Sequence, residues 1–301
     1  MTPILRIATA LLLLCYAFNA SAAGVTDTVK KENAPKPAET TEQSDTLKIG
    51  ATYYSNDVFL GRSNKTAIPY LSPEIKYTFS NGIYLGGDIQ FLPQNPRNKL
   101  DGGEFNAGYE FDLTDALSGD VSFTKFFYNT NSAQITSSMS STLNASFEYE
   151  IEDIVTPSVG MNYVINKAGT NNDIFLNLGV SHEFSFGNDD EFTISPTIGL
   201  NAGTQYFFES YLDKKLFKTV TYTAEQQQLV TDYEAGVGRF KMLDYEISLP
   251  FKYESKNFGL EFKPEYDIVQ NDFKGTTLSR TLGVATGSGV FFVTLGISFK
   301  F

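Results

Sequence analysis

Glu74, Lys76, Asp88, Glu104, Glu110, Glu148, Glu183, Glu246, Lys252, Glu261, Lys263 and Glu265 all fall in stretches where polar residues alternate with apolar or small ones. Nine of them are carboxylates and three are amines, so any space they line together carries excess negative charge. Such a lining attracts cations and repels anions over a Debye length of about 8–10 Å at ordinary salt. The same residues also suit a second arrangement, in which facing strands pair the charges into a salt-bridged, filled interior, as barrels of roughly eight strands do. Both remain open at the level of sequence.

Catalytic groupings are scarce. His182 is the only histidine, and a base–nucleophile pair along one strand face needs a serine two positions away. That position holds Phe184, while Ser185 alternates to the other face. The acidic turns Asp189-Asp190-Glu191 and Asp232-Tyr233-Glu234 lack the spacing of a calcium-binding loop. With one Cys in the chain, disulfide frameworks and Cys/His zinc sites are excluded by counting. No catalytic residue, cofactor or metal is expected. A formal charge of -12 also argues against nucleic acid as a partner, since neutralising phosphates takes clustered Lys and Arg.

The elements that must position the carboxylates are β-strands. Near the C-terminus Phe291, Val293, Leu295, Ile297, Phe299 and Phe301 alternate with Phe292, Thr294, Gly296, Ser298 and Lys300, giving one apolar face opposite a mostly polar one. About twelve segments repeat this pattern: 47–54, 67–79, 82–92, 103–112, 116–128, 138–151, 154–166, 173–186, 191–207, 243–254, 257–269 and 290–301. Connections such as Ser80-Asn81-Gly82 are tight, and they alternate with longer ones at 55–66, 93–102, 129–137, 167–172, 208–242 and 270–289. An even strand count with turns at one rim and loops at the other predicts an all-β, closed up-and-down antiparallel transmembrane barrel. A soluble barrel would alternate too. Against it, several segments exceed ten residues, longer than the ~5–6 of globular sheets and closer to the ~9–11 of tilted membrane strands. The charged face also carries many Gly, Ser, Asn and Thr residues, which suits a wet lumen.

Residues 1–23 read as a secretory signal peptide, with Arg6, an apolar run over Ile7–Phe18 and small residues at Ala20-Ser21-Ala22. Its apolar run is too short for a membrane-spanning helix, and Cys15 lacks the small preceding residue of a lipidation site. Residues 24–46, rich in Pro, Lys, Glu and Thr, read as a disordered periplasmic tether, which leaves 47–301 for the barrel. Loop 208–242 interleaves Phe207, Phe208, Tyr211, Phe217, Tyr222, Tyr233 and Phe240 with charges. It suits either an aromatic constriction or sugar platform, or a strand pair extended over Thr219–Thr223 and Gln228–Asp232.

Two resemblances sharpen this picture. The ending at Phe299 and Phe301 resembles the C-terminal strand by which bacterial outer-membrane proteins are recognised by the barrel-assembly machinery. The run Tyr54-Ser55-Asn56-Asp57-Val58-Phe59-Leu60-Gly61-Arg62-Ser63, followed by Pro69, Tyr77 and Asn81-Gly82-Ile83-Tyr84-Leu85-Gly86-Gly87, resembles the first hairpin of the TorF-type porins of Gram-negative bacteria. The tether and loop 208–242 depart from that family. Membership would imply a passive pore without catalytic residues. The expectation is therefore an outer-membrane channel, N-terminus periplasmic, surrounded by outer-membrane lipid and passing small hydrophilic solutes with a preference for cations. A structural or surface-interaction barrel with a plugged lumen is the alternative, and an outer-membrane hydrolase a distant third.

Overall fold

The computed structural model describes residues 44–64, 66–94, 99–151, 154–187, 191–212, 223–271 and 289–301. The expected signal peptide and nearly all of the tether lie outside the described residues. The strands are β1 Thr46–Tyr54, β2 Val58–Phe59, β3 Arg62–Ser63, β4 Tyr70–Thr78, β5 Ile83–Phe91, β6 Leu100–Thr114, β7 Leu117–Tyr128, β8 Met139–Tyr149 and β9 Thr156–Asn166. They continue as β10 Asp173–Ser181, β11 Phe184–Phe186, β12 Phe192–Ile194, β13 Thr197–Gly203, β14 Lys241–Ser248, β15 Phe251–Glu254, β16 Phe258–Val269 and β17 Gly289–Lys300. Among the described residues there are also two helices, α1 Tyr206–Leu212 and α2 Ala224–Val237, and a 3-10 turn at Ile135–Ser138.

All neighbours in the main sheet are antiparallel, and β17 pairs with both β16 and β1, which closes the barrel. Twelve strands run around it, because β10 with β11, β12 with β13, and β14 with β15 are the halves of three interrupted strands. The interruptions line up across the wall. His182 N donates to the Pro196 carbonyl, Ser195 N to Pro250 and Leu249 N to Pro264. Proline has no N–H, so a ladder loses a donor wherever one sits, and the breaks fall beside Pro196 and Pro250.

Apolar side chains point outward. Ile198 is 65 % exposed and Phe291 63 %, and large apolar residues on nearly every strand join them. That continuous band is far larger than the apolar patches of a water-soluble monomer. Aromatic residues flank it. On the turn side Tyr109 stacks on Phe111, Phe186 on Phe192, and Phe258 packs against Phe299. On the loop side Tyr53, Tyr163, Tyr245, Tyr266 and Phe291 are exposed. Between Phe258 and Tyr266, a rise of ~3.3 Å per residue and a tilt of about 40° leave roughly 20 Å, close to the ~25 Å apolar band of membrane barrels.

The packed core lies in the loop-side mouth. Leu60, Ile135, Met139, Val164, Phe175, Phe207, Phe208 and Leu243 form one buried cluster. The β2–β3 hairpin supplies Leu60 through a two-residue turn with left-handed φ at both Leu60 (+50°) and Gly61 (+73°), the conformation of a type I′ turn. A β-bulge supplies Leu243: Asn201 pairs with Asp244 and Ala202 with Met242, so the skipped Leu243 turns inward beside Asp244.

Two expectations are corrected. Segment 191–207 is not strand throughout, because β13 ends at Gly203 and α1 begins at Tyr206. Asp173 stops it, accepting hydrogen bonds from Tyr206 N and Phe207 N and so capping a helix from another strand. Loop 208–242 holds helices where a strand pair was one expectation: α2 spans Gln228–Asp232 and starts on a capping box between Thr223 and Gln226. The other half of that expected pair, Thr219–Tyr222, lies outside the described residues.

Candidate functional site

The barrel interior gathers the predicted polar residues into small groups. By strand alternation they fall on the face opposite the exposed apolar side chains, as with Ile75 between Glu74 and Lys76 and with Tyr245 and Ile247 on either side of Glu246. Lys76 bridges to Glu110 at 2.5 Å and lies 4.1 Å from the centroid of the Tyr84 ring, whose hydroxyl donates to Asp120 at 3.0 Å. Glu74 stands opposite Asp88, and Asp88 opposite Glu104. Asp88 is held by Ser72 Oγ and by Glu104 N. Lys252 pairs with Glu261 across β15 and β16, while Lys263 bridges to Glu265 at 2.6 Å. Glu148 and Glu183 meet at the turn rim, where with Asp112, Asp115 and Glu150 they line a recess of about 410 Å3.

Further into the barrel, an asparagine relay crosses four strands. Asn144 Nδ2 donates to Asn162 Oδ1 at 2.9 Å, Asn162 Nδ2 to Asn177 Oδ1 at 2.7 Å, and Asn177 Nδ2 to Asn201 Oδ1. Asn201 Nδ2 then donates to Asp244 Oδ1 and Glu246 Oε1. The relay borders a chamber of about 460 Å3 that Tyr54, Tyr70 and Tyr128 also line, with Val58, Phe59 and Leu60 of the inward hairpin. In the sequence these amides count only among the Gly, Ser, Asn and Thr residues that suit a wet lumen. Their shared inward phase was visible in sequence, but their adjacency needed the strand register.

Arg62 fixes the mouth, a role that its position between Gly61 and Ser63 in the chain does not signal. It is 2 % exposed, and Nη1 donates to the carbonyls of Leu60 (2.6 Å) and Leu243 (2.7 Å). Nη2 donates to Gln205 Oε1 at 3.0 Å and the Gln270 carbonyl at 2.9 Å. One guanidinium thus ties the hairpin to β14, to the start of α1 and to the end of β16. Asp57 adds a second tie by accepting from Ile135 N at 2.7 Å.

At the turn rim Leu47 and Phe301 exchange backbone hydrogen bonds, so the β1 and β17 ends lie side by side. Phe299 and Phe301 point outward, 46 % and 71 % exposed. Outside the strands, Asp45 accepts from the Tyr77 hydroxyl at 2.6 Å and Ser80 N at 2.8 Å, bonds that hold its carboxyl below the ordinary range. The ring of His182 packs edge-on against Phe184, while Ser185 donates to Glu183, so base and hydroxyl are engaged with different partners.

No protein-family model matches the chain, and no curated protein sequence matches it significantly. Among solved structures it is similar to the KdgM porin, at 9% identity and a TM-score of 0.45 over 85% of this chain and 99% of that one. It is also similar to an outer membrane channel from Pseudomonas putida F1, at 10% identity and a TM-score of 0.46 over 90% of this chain and 100% of that one. LpxR from Salmonella typhimurium aligns at 9% identity and a TM-score of 0.45 over 84% of this chain and 99% of that one. Likeness at this level concerns barrel architecture, and what this barrel does rests on its own interior.

Proposed function

We propose that this chain is an outer-membrane channel for passive diffusion of small hydrophilic solutes, narrowed at its loop-side mouth by an inward hairpin. The observation that carries the reading is the division of surfaces: an apolar outer band between two aromatic girdles encloses a polar interior with chambers of about 460 and 410 Å3. In this reading lipid surrounds the band, and both barrel ends at the turn rim face the periplasm. Phe299 and Phe301 serve recognition by the barrel-assembly machinery. The candidate lining from Glu74 to Glu265 carries nine carboxylates against three amines and favours cations over anions.

A specific observation favours a second reading. The cluster of Leu60, Ile135, Met139, Phe175, Phe207, Phe208 and Leu243 is as tightly buried as a protein core, which suits a plugged structural barrel. Planar-bilayer recording of the refolded chain separates the two. Small stepwise conductances that fall as larger sugars are added support the channel, and a persistently silent, correctly folded barrel supports the plug.

A further inference from the structure

Three carboxylates meet on the inner wall beneath the inward hairpin. Asp244 and Glu246 come from β14 and Asp267 from β16, and each offers an oxygen within 4.8 Å of the others. The fold forces this, since Glu246 stands opposite Asp267 in register and Asp244 is two residues away on the same face. Anions this close repel one another strongly unless positive charge lies among them.

The neighbouring groups answer only part of that demand. Asn201 donates to Asp244 Oδ1 at 2.8 Å and to Glu246 Oε1 at 2.7 Å. Every amide of the relay behind it donates in the same direction, so the relay ends on two oxygens that act as acceptors, as carboxylates do. Gly61 N–H donates to Asp267. Lys263 is engaged by Glu265. What is left is Asp244 Oδ2 and Asp267 Oδ1, buried atoms with no hydrogen-bond partner, on residues only 0 % and 1 % exposed. Two buried carboxylate oxygens without a hydrogen-bond partner, on side chains of one three-carboxylate cluster, call for a positive charge beside them.

We propose that Asp244, Glu246 and Asp267 bind a divalent cation, Ca2+ by preference, which fastens the inward hairpin to the barrel wall. Their oxygens lie within 4.8 Å of one another, close enough to share one Ca2+ bound at about 2.4 Å. An all-carboxylate donor set is hard and suits Ca2+ or Mg2+ over zinc or copper, and its irregular wall geometry suits the more permissive Ca2+. Gly61 seals the site, since a Cβ there would lie 3.1 Å from Asp244 Cβ and 3.3 Å from its Oδ2. The site depends on the fold of the wall and not on whether the lumen conducts.

The test uses the full mature chain refolded in detergent, stripped with EDTA and dialysed against Ca2+, with bound metal measured by mass spectrometry. Heat-dependent gel mobility confirms that each sample is folded. About one Ca2+ per barrel is expected, with Asp267→Asn weakening binding by roughly tenfold or more and the exposed helix variant Glu225→Gln leaving it unchanged. Should Asp267→Asn not fold, Asp244→Asn and the wild-type unfolding temperature with and without Ca2+ take its place. A folded wild-type barrel that retains no stoichiometric Ca2+, or a folded variant with unchanged affinity, overturns the proposal. So does an unfolding temperature that shifts with pH but not with Ca2+, because the two orphaned oxygens would then share a proton.

Discussion

Arg62 shows how one residue can set the state of a barrel. Its guanidinium saturates carbonyls on three separate elements, and lysine, a point charge without a planar fork, could not reach all four acceptors. Replacing it with Met keeps the apolar stem but strands buried acceptors, at a cost on the order of 3 kcal/mol to the packing of the mouth. The expected outcome is faster proteolysis within Val58–Ser63 and larger conductance, while heat-dependent gel mobility stays that of a closed barrel. Asp45 offers a pH-dependent contact at the other rim. Its carboxyl lies below the ordinary range first because Tyr77 donates to it and then because Ser80 N does. A lowered folded pKa means the contact contributes above the ordinary carboxylate pKa of about 4 and is lost as pH falls through the folded value. The protection of the Ser80 amide relative to its intrinsic exchange rate at each pH should therefore drop on acidification below that range in wild type and show no such step in Asp45→Asn.

Among elements, the closing strand and the inward hairpin do opposite work. β17 joins both β16 and β1 and ends on backbone bonds between Leu47 and Phe301, so the barrel has no edge once it docks. Phe301 is 71 % exposed and contributes little to packing, so a change there separates the proposed insertion signal from stability. Phe301→Ala should slow assembly in cells while changing the unfolding free energy of the inserted barrel by less than about 1 kcal/mol, a contrast measurable by pulse-chase and urea titration. The β2–β3 hairpin makes only four residues of ladder and owes its place to Leu60, Arg62 and Asp57, which tertiary partners hold.

For the whole molecule, the surplus of carboxylates over amines inside a low-dielectric wall is the property a single measurement reads. Under a tenfold gradient of potassium chloride the reversal potential is expected on the cation-selective side, and it should shrink at high salt as screening shortens to about 3 Å at 1 M. An anion-selective reversal would remove the electrostatic part of the channel reading. The paired groups at Lys76–Glu110 and Lys263–Glu265 limit the effect, because they neutralise charge that sequence counting treats as free.

The amino-acid sequence by itself determined the wall. Side chains in a strand alternate with period two regardless of partners, so inward and outward faces, the strand number and the sorting of turns from loops were all readable from residue types. The mean hydropathy of -0.18 hid that division because it averages an apolar outer face with a charged inner one. Tertiary structure alone decided the mouth. Helix α1 starts where Asp173 caps it from another strand, Leu243 faces inward because of a bulge, and Asp267 meets Asp244 and Glu246 through the register of β14 with β16. Each of these joins residues far apart in the chain, and no local periodicity encodes which strand positions end up side by side.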